Sequence, residues 1–241
     1  VRINKWISET GYCSRREADK LVSGGEVTIN GETALLGSQV EAGDEVRVKG
    51  ELLSTHSRHV YIALHKPVGI TSTTELHVEG NIVDFVGHQE RIFPIGRLDK
   101  DSEGLILMTN DGDIVNRVLR AEGKHEKEYI VTIDRPVTPS FLKGMSEGVR
   151  ILGGMTLPCQ VTRVSERVFR IVLTEGKNRQ IRRMCSAFGY RVRRLQRVRI
   201  MNITLGSLPS GKWRDLTREE LRELFSELSY EPSPPAGRPG T

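Results

Sequence analysis

The chain has 241 residues, 37% of them hydrophobic and 28% charged, a composition that excludes neither a folded core nor solubility but does exclude a membrane-embedded bundle. Lys and Arg number 36 against 31 Asp and Glu, a formal charge of +5 that favours a polyanionic partner. With no apolar run near the ~20 residues of a bilayer span, no secretory signal pattern, and only Cys13, Cys159 and Cys185 widely spaced, the expectation is cytoplasmic, without membrane partner, disulfide framework or zinc knuckle.

Residues 1–49 read as a compact unit. A short amphipathic helix is expected over residues 3–8, and a second over residues 15–23 with Ser14 as its cap and Gly24-Gly25 as its stop. Val27-Thr28-Ile29 runs into Asn30-Gly31, a strong hairpin signal; the chain returns through residues 32–36, and residues 44–48 read as a further strand. About 50 residues make a marginal core, so this unit is expected to be a tethered accessory. Residues 50–60 are polar and patternless and read as a linker.

Residues 61–229 read as the main body. Strands are expected at 61–64, 105–109, 128–133, 168–174 and 192–200, and helices at 111–120, 138–147, 178–188 and 217–228, the last opened by a Thr217/Glu220 capping box. Because the strands are not separated by regularly repeating crossover helices, the fold class is α+β with a mixed, mostly antiparallel sheet. From residue 230 onward, Pro232, Pro234, Pro235 and Pro239 with little to bury predict a disordered tail.

Two clusters carry candidate chemistry. In Gly96-Arg97-Leu98-Asp99-Lys100-Asp101-Ser102-Glu103-Gly104-Leu105, charge is packed between apolar stretches. By composition this is a polar surface loop. Asp99, Asp101, Glu103 and Gly104 have the opening spacing of a calcium loop, but its last ligand position falls on Asn110 after the apolar Leu105-Ile106-Leu107-Met108, so metal binding is rejected. If the segment is extended, Arg97 and Asp99 share a face, and the guanidinium keeps the carboxylate ionised.

From 176 to 199 stand nine basic residues, Lys177, Arg179, Arg182, Arg183, Arg191, Arg193, Arg194, Arg197 and Arg199, and no acidic one. On a helix from Asn178, Ile181, Met184, Cys185 and Phe188 line one face, with Arg179, Arg182 and Arg183 on the other. A solvated basic face is the plain alternative. Against it, such density without an interleaved carboxylate repels itself unless an anion is bound. Alternation in Arg191-Val192-Arg193 and Arg197-Val198-Arg199 extends the basic face along a strand, and an RNA-binding groove accounts for both. His56 and His59 sit in the linker, and His65, His77, His88 and His125 have no ligand spacing.

At these residues the sequence resembles a known family, the bacterial pseudouridine synthases of the RsuA type, which act on ribosomal RNA and include synthases B, E and F of the large ribosomal subunit. Gly96-Arg97-Leu98-Asp99 with Ser102-Glu103-Gly104-Leu105 resembles the family's catalytic motif, Lys127-Glu128-Tyr129 its second, and residues 178–184 its third. Residues 1–49 resemble an S4 RNA-binding module. Residues 63–69 and 199–202, with Arg179 where many relatives carry His, are most similar to the F branch.

The resemblance implies an isomerase without cofactor or metal, acting on a uridine of 23S ribosomal RNA near the peptidyl-transferase centre, in a stem-loop. A tRNA as second substrate stays open, and a monomer is assumed. Asp99 would be the catalytic carboxylate, attacking the ribose or abstracting a proton. Tyr129 would stack on the base and could also serve in proton transfer, Arg182 would pair with Asp99, and Arg97 would fill the space left by the flipped base or hold the neighbouring phosphate. RNA would be held by Arg2, Asn4, Lys5, Ser14, Arg15 and Arg16, and by Lys177, Arg179, Arg183, Arg191 and Arg193. The rivals are a non-catalytic S4-type rRNA-binding or ribosome-assembly factor, and a carboxylate-dependent hydrolase with Asp101 or Glu103 as its second carboxyl.

Overall fold

The computed structural model describes residues 1–54, 59–120 and 125–232. In the small unit, α1 (Ile3–Glu9) and α2 (Arg15–Ser23) bury Ile3, Ile7, Ala18 and Val22, each pair one helical turn apart. Glu17 N donates to Ser14 Oγ and Ser14 N to Glu17 Oε2, a complete capping box that fixes where α2 starts. β1 (Val27–Ile29) and β2 (Glu32–Thr33) join through Asn30 and Gly31, whose φ values of 53° and 85° suit the tight hairpin turn. With β3 (Val46–Val48) and β4 (Glu51–Leu52) they form a sheet ordered β2-β1-β3-β4. Neither β4 nor the packing of Leu53 on this core was expected beyond residue 49. Part of the expected linker, residues 55–58 with His56, lies outside the described residues.

The large unit runs β5 (Tyr61–Lys66), α3 (Ile82–Val86), β6 (Phe93–Pro94), β7 (Glu103–Thr109), α4 (Gly112–Leu119), β8 (Lys127–Ile133), α5 (Pro139–Ser146) and β9 (Arg150–Ile151). It continues through β10 (Gly154–Met155), β11 (Gln160–Ser165), β12 (Val168–Leu173), α6 (Gln180–Ala187), β13 (Val192–Ile200), β14 (Ile203–Thr204), β15 (Trp213–Asp215) and α7 (Arg218–Glu227). Nine of these strands form one sheet along β11-β12-β8-β13-β7-β5-β15, with β14 on β13 and β6 on β7. Among the paired strands described, β13 and β7 alone run parallel, so the expected mixed, mostly antiparallel sheet is the one that forms.

β7 is apolar at consecutive positions because the sheet is covered on both faces there. Leu105 and Leu107 meet Ile114 and Val118 of α4 and Leu224 of α7, while Ile106 and Met108 meet Ile62, Leu64 and Ile82. A third cluster, around Val131, Phe169 and Ile171, seats α5 and α6 through Phe141, Met145, Ile181 and Met184.

Three expectations need correction. The helix expected from Asn178 begins at Gln180, because Arg179 has φ 50°, a left-handed conformation that cannot continue a helix. Phe188, expected on its buried face, is the C-cap and 39% exposed. The expected tail begins too early: Tyr230 is buried, and its phenol donates to Asp111 Oδ2 at 2.5 Å beside that of Tyr61 at 2.6 Å. Residues 233–241, with the remaining prolines, lie outside the described residues. The Thr217/Glu220 capping box forms as expected. Among the described residues no helix is long and apolar enough to cross a membrane.

Candidate active site

Between β6 and β7, residues 97–102 belong to no strand, and the Arg97 guanidinium expected beside Asp99 forms no ion pair with it among the described residues. Other segments hold this loop instead. Ser72 Oγ donates to Leu98 O at 2.8 Å and accepts from Leu98 N at 3.2 Å, and Gly69 N donates to Lys100 O at 2.8 Å. Ser102 N donates to Asp99 O at 3.0 Å, closing the turn that presents Asp99. From β13, Arg197 donates through Nε to Leu105 O at 2.7 Å and through Nη1 to Arg97 O at 3.3 Å. Gly104 is dictated by the same geometry: its φ is +111°, and a Cβ there would lie 2.6 Å from Arg197 N and closer still to Arg197 O.

Helix α6 approaches the loop with two arginines. Arg179 Nη1 and Nη2 donate to Asp101 Oδ1 and Oδ2 at 3.0 and 2.8 Å, and its Nη1 stands 3.7 Å from Asp99 Oδ2. Arg182 Nη2 donates to Asp101 O at 2.8 Å and Ser102 Oγ at 3.0 Å, with Nε 3.4 Å from Asp101 Oδ2. The expected pairing of Arg182 with Asp99 is therefore replaced by pairing with Asp101, and the arginine beside Asp99 is Arg179. Hydrogen bonding from Arg179 holds the Asp101 carboxyl below its ordinary range, against the opposing effect of burial.

These elements enclose a cavity of about 590 Å³, lined by Arg97, Asp99, Tyr129, Lys177, Arg179 and Arg182 among others. The size suits one nucleotide. Tyr129, on β8, packs its ring between two core clusters, and among the described residues its hydroxyl has no hydrogen-bond partner. Lys177 is paired with Glu175 at 3.5 Å, whereas Arg97 contributes a guanidinium without a partner among the described residues. Arg183, Arg191 and Arg193 do not line the cavity.

The basic run is not the self-repelling stripe that sequence suggested, because acids from distant segments meet it. Arg194 pairs with Glu103, and Arg199 pairs with Glu126 at 2.8 Å and Glu128 at 2.9 Å. Arg183 is bonded to Asn178 Oδ1 and Leu152 O. Arg191 and Arg193 are exposed and form no ion pair among the described residues. The alternation also fails: β13 shifts register against β8 between Val192 and Arg194 and again between Arg197 and Arg199, so Arg197 turns inward at 4% exposure.

Sequence reasoning missed Lys66, which is fully buried and donates to Pro67 O and Ile70 O, both at 2.9 Å. Burial, then the charge of Arg197, pushes its ammonium down to about 8 against the pull of Asp101, Asp99 and Glu103. The available signal was a lysine ending a strand otherwise fit for a core. Ser72 carried no signal at all.

The RNA pseudouridylate synthase family profile matches residues 60–187, and the S4 domain profile matches residues 1–46. The chain belongs to the RNA pseudouridylate synthase family. It is 57% identical over 227 residues to the dual-specificity RNA pseudouridine synthase RluF of Escherichia coli strain K12, covering 93% of this chain and 78% of that protein. It is 33% identical over 232 residues to the ribosomal large subunit pseudouridine synthase B of Bacillus subtilis, covering 92% and 95% of the two chains. A crystal structure of a pseudouridylate synthase superposes with TM-score 0.68 at 30% identity, over 93% of this chain and 99% of the other. As a pseudouridine synthase the protein is an isomerase.

For this synthase, the S4 module redistributes the candidate RNA-facing residues. Lys5 Nζ lies 2.5 Å from Asp113 Oδ2 at the start of α4, Arg15 Nη2 lies 3.6 Å from Asp113 Oδ1, and Arg91 Nη1 donates to Cys13 O at 3.3 Å. Lys5 and Arg15 thus face the catalytic body. Asn4 donates to Asp19 at 2.9 Å and Ser14 serves α2, leaving Arg2 and Arg16 as cations without an ion pair among the described residues.

Proposed function

We propose that this synthase converts one uridine in a stem-loop of 23S ribosomal RNA, near the peptidyl-transferase centre, to pseudouridine, acting as a cytoplasmic monomer. The observation that carries the reading is Asp99, held on a tightly bonded turn at the wall of a nucleotide-sized cavity that also contains Tyr129 and several arginines. The similarity to RluF supports the ribosomal target, and the dual specificity in that relative's name extends the proposal to a second RNA, for which a tRNA stem-loop is the candidate.

In the reaction the N1–C1′ bond breaks, the uracil turns, and C5 bonds to C1′; C5 loses a proton and N1 regains one. Electrons balance without a cofactor. Asp99 attacks the ribose or abstracts a proton as the base departs. Tyr129 stacks on the base, its free hydroxyl within the cavity available for proton transfer. Arg97 occupies the gap in the helix after flipping, and Arg179 and Arg182 act through Asp101 to hold the loop to α6.

The test is incubation with transcripts of 23S ribosomal RNA and of tRNA, followed by chemical mapping of pseudouridine. Modification at one 23S position is expected. Tight binding without any pseudouridine would favour the non-catalytic S4-type factor instead.

A further inference from the structure

Arg197 makes no ion pair among the described residues, although it is 4% exposed. Its guanidinium is spent on two backbone carbonyls, and its third nitrogen, Nη2, is buried with no partner. A buried, uncompensated charge with an orphaned N–H costs stability, and an apolar residue of similar volume would suit the fold at least as well. What distinguishes the position is which carbonyls it holds. Arg97 O and Leu105 O stand at the two ends of the segment that carries Asp99. Below them the backbone of Arg197 presses against Gly104, where a Cβ would not fit.

A second buried cation repeats the device. Lys66 bonds the carbonyls of Pro67 and Ile70, at the root of the segment whose Gly69 and Ser72 hold Lys100 and Leu98. The charge of Arg197 acts against that of Lys66, so the fold holds two like charges near enough to repel.

We propose that Arg197 is the positioning residue of the active-site loop: by bridging the carbonyls of Arg97 and Leu105 it sets the height of Asp99 in the cavity. Arg197 belongs to the cavity wall, but at 4% exposure its Nε and Nη1 are turned to backbone carbonyls and its Nη2 is buried, so it acts on turnover through the loop and leaves RNA binding nearly unchanged. The inference rests on the pseudouridine-forming role proposed for Asp99. A displacement of about 1 Å at a reacting group lowers rate on the order of 10²-fold.

The full-length chain carrying Arg197→Lys or Arg197→Met is compared with wild type. Lys keeps the charge but offers one ammonium nitrogen in place of the separate Nε and Nη1 that reach Leu105 O and Arg97 O; Met keeps much of the stem's volume without the charge, which guards against loss of fold. Three readouts are taken on protein with a cooperative thermal transition: single-turnover rate at saturating RNA, RNA affinity, and hydrogen exchange of the amides of Leu98 and Ser102. Both variants are expected to turn over about 10²-fold more slowly, bind RNA within about threefold of wild type, and exchange those amides faster. Rate within about threefold of wild type, or weakened binding at unchanged rate, overturns the proposal, since a merely packed residue would produce no such split. Exchange does not depend on activity: unchanged protection at Leu98 and Ser102 overturns the clamp even if the chain proves to modify no RNA, whereas faster exchange with an inactive wild type would implicate the activity reading alone.

Discussion

Arg179 grips Asp101 with both terminal nitrogens while its Nη1 stays 3.7 Å from Asp99, so one guanidinium spans the two carboxylates of the loop. Asp101 is therefore the anchor through which α6 holds the loop, and Asp99 is left 39% exposed and open to substrate. Replacing Asp101 by Asn should free Arg179 and leave Arg182 only its bonds to Asp101 O and Ser102 Oγ, lowering turnover by about 10–100-fold with RNA affinity nearly unchanged.

The same carboxyl gives a pH signature. Its folded pKa is depressed, so its contribution to stability is present above the ordinary carboxylate value of about 3.9 and is lost as pH falls through the depressed value. The gap in thermal midpoint between wild type and Asp101→Asn should be level above about pH 5 and close in stronger acid. A gap that grows on acidification would contradict the assignment.

Asp99→Asn should abolish pseudouridine formation and leave RNA affinity intact, because the amide keeps the shape and loses the nucleophile. Residual turnover within about tenfold of wild type, measured by chemical mapping of the transcript, would remove Asp99 from its role.

Tyr129 separates stacking from proton transfer. Phe keeps the ring and its packing against both core clusters but loses the unpartnered hydroxyl. Tyr129→Phe should bind RNA normally and turn over about 10²-fold more slowly, as expected for loss of a proton-transfer group. Near-normal turnover in Phe with loss in Ala would leave stacking as its whole contribution.

What could be read from sequence depended on whether the signal was local. Capping boxes at Ser14 and Thr217, the Asn30-Gly31 turn and the apolar run of β7 are determined by neighbours in sequence, and these elements lie where expected. Asp99 and Tyr129 stood in motifs, and the cavity brings them together. Partner choice was not legible. Nothing within a few residues of Arg182 says that its carboxylate is Asp101, and nothing near Arg194 or Arg199 announces Glu103, Glu126 or Glu128. Arg197 was misplaced outward because strict alternation assumes a regular strand, and β13 shifts register twice. α3, β11 and β15 were missed for a simpler reason: one is five residues long, and the others are sheet-edge strands with mostly exposed side chains.

The C-terminal end of the body is tied by Asp111, which caps α4 and accepts from the phenols of Tyr61 and Tyr230 while itself buried. Tyr230→Phe should lower unfolding stability by about 1.5–3 kcal/mol, the range for a hydrogen bond to a charged group. Burial and then the bond to Asp111 raise the pKa of both phenols, so this contribution is complete below about pH 10 and is lost as pH climbs through the raised values. Urea unfolding at pH 7 and in strong alkali should show the wild-type advantage only at pH 7.

The cations of the S4 module divide into a docked pair and a free pair. Lys5 and Arg15 are engaged by Asp113 on the catalytic body, whereas Arg2 and Arg16 have no ion pair among the described residues. Neutralising the free pair, Arg2→Ser with Arg16→Ser, should weaken RNA binding and reduce the slope of log affinity against log salt by about two, one for each phosphate contact removed. Neutralising the engaged pair, Lys5→Ser with Arg15→Ser, should leave the slope nearly unchanged. It should instead loosen the two units, because Asp113 loses both partners, and this would appear as earlier proteolysis between them. Asp113→Asn releases the engaged cations without removing them and should steepen the salt dependence if RNA can recruit them. Binding is measured at two salt concentrations on the full chain, with turnover at saturating RNA as the control for the catalytic body. Equal slopes for both double variants would show that the docked and free cations meet phosphate alike, and the division drawn from Asp113 would fail.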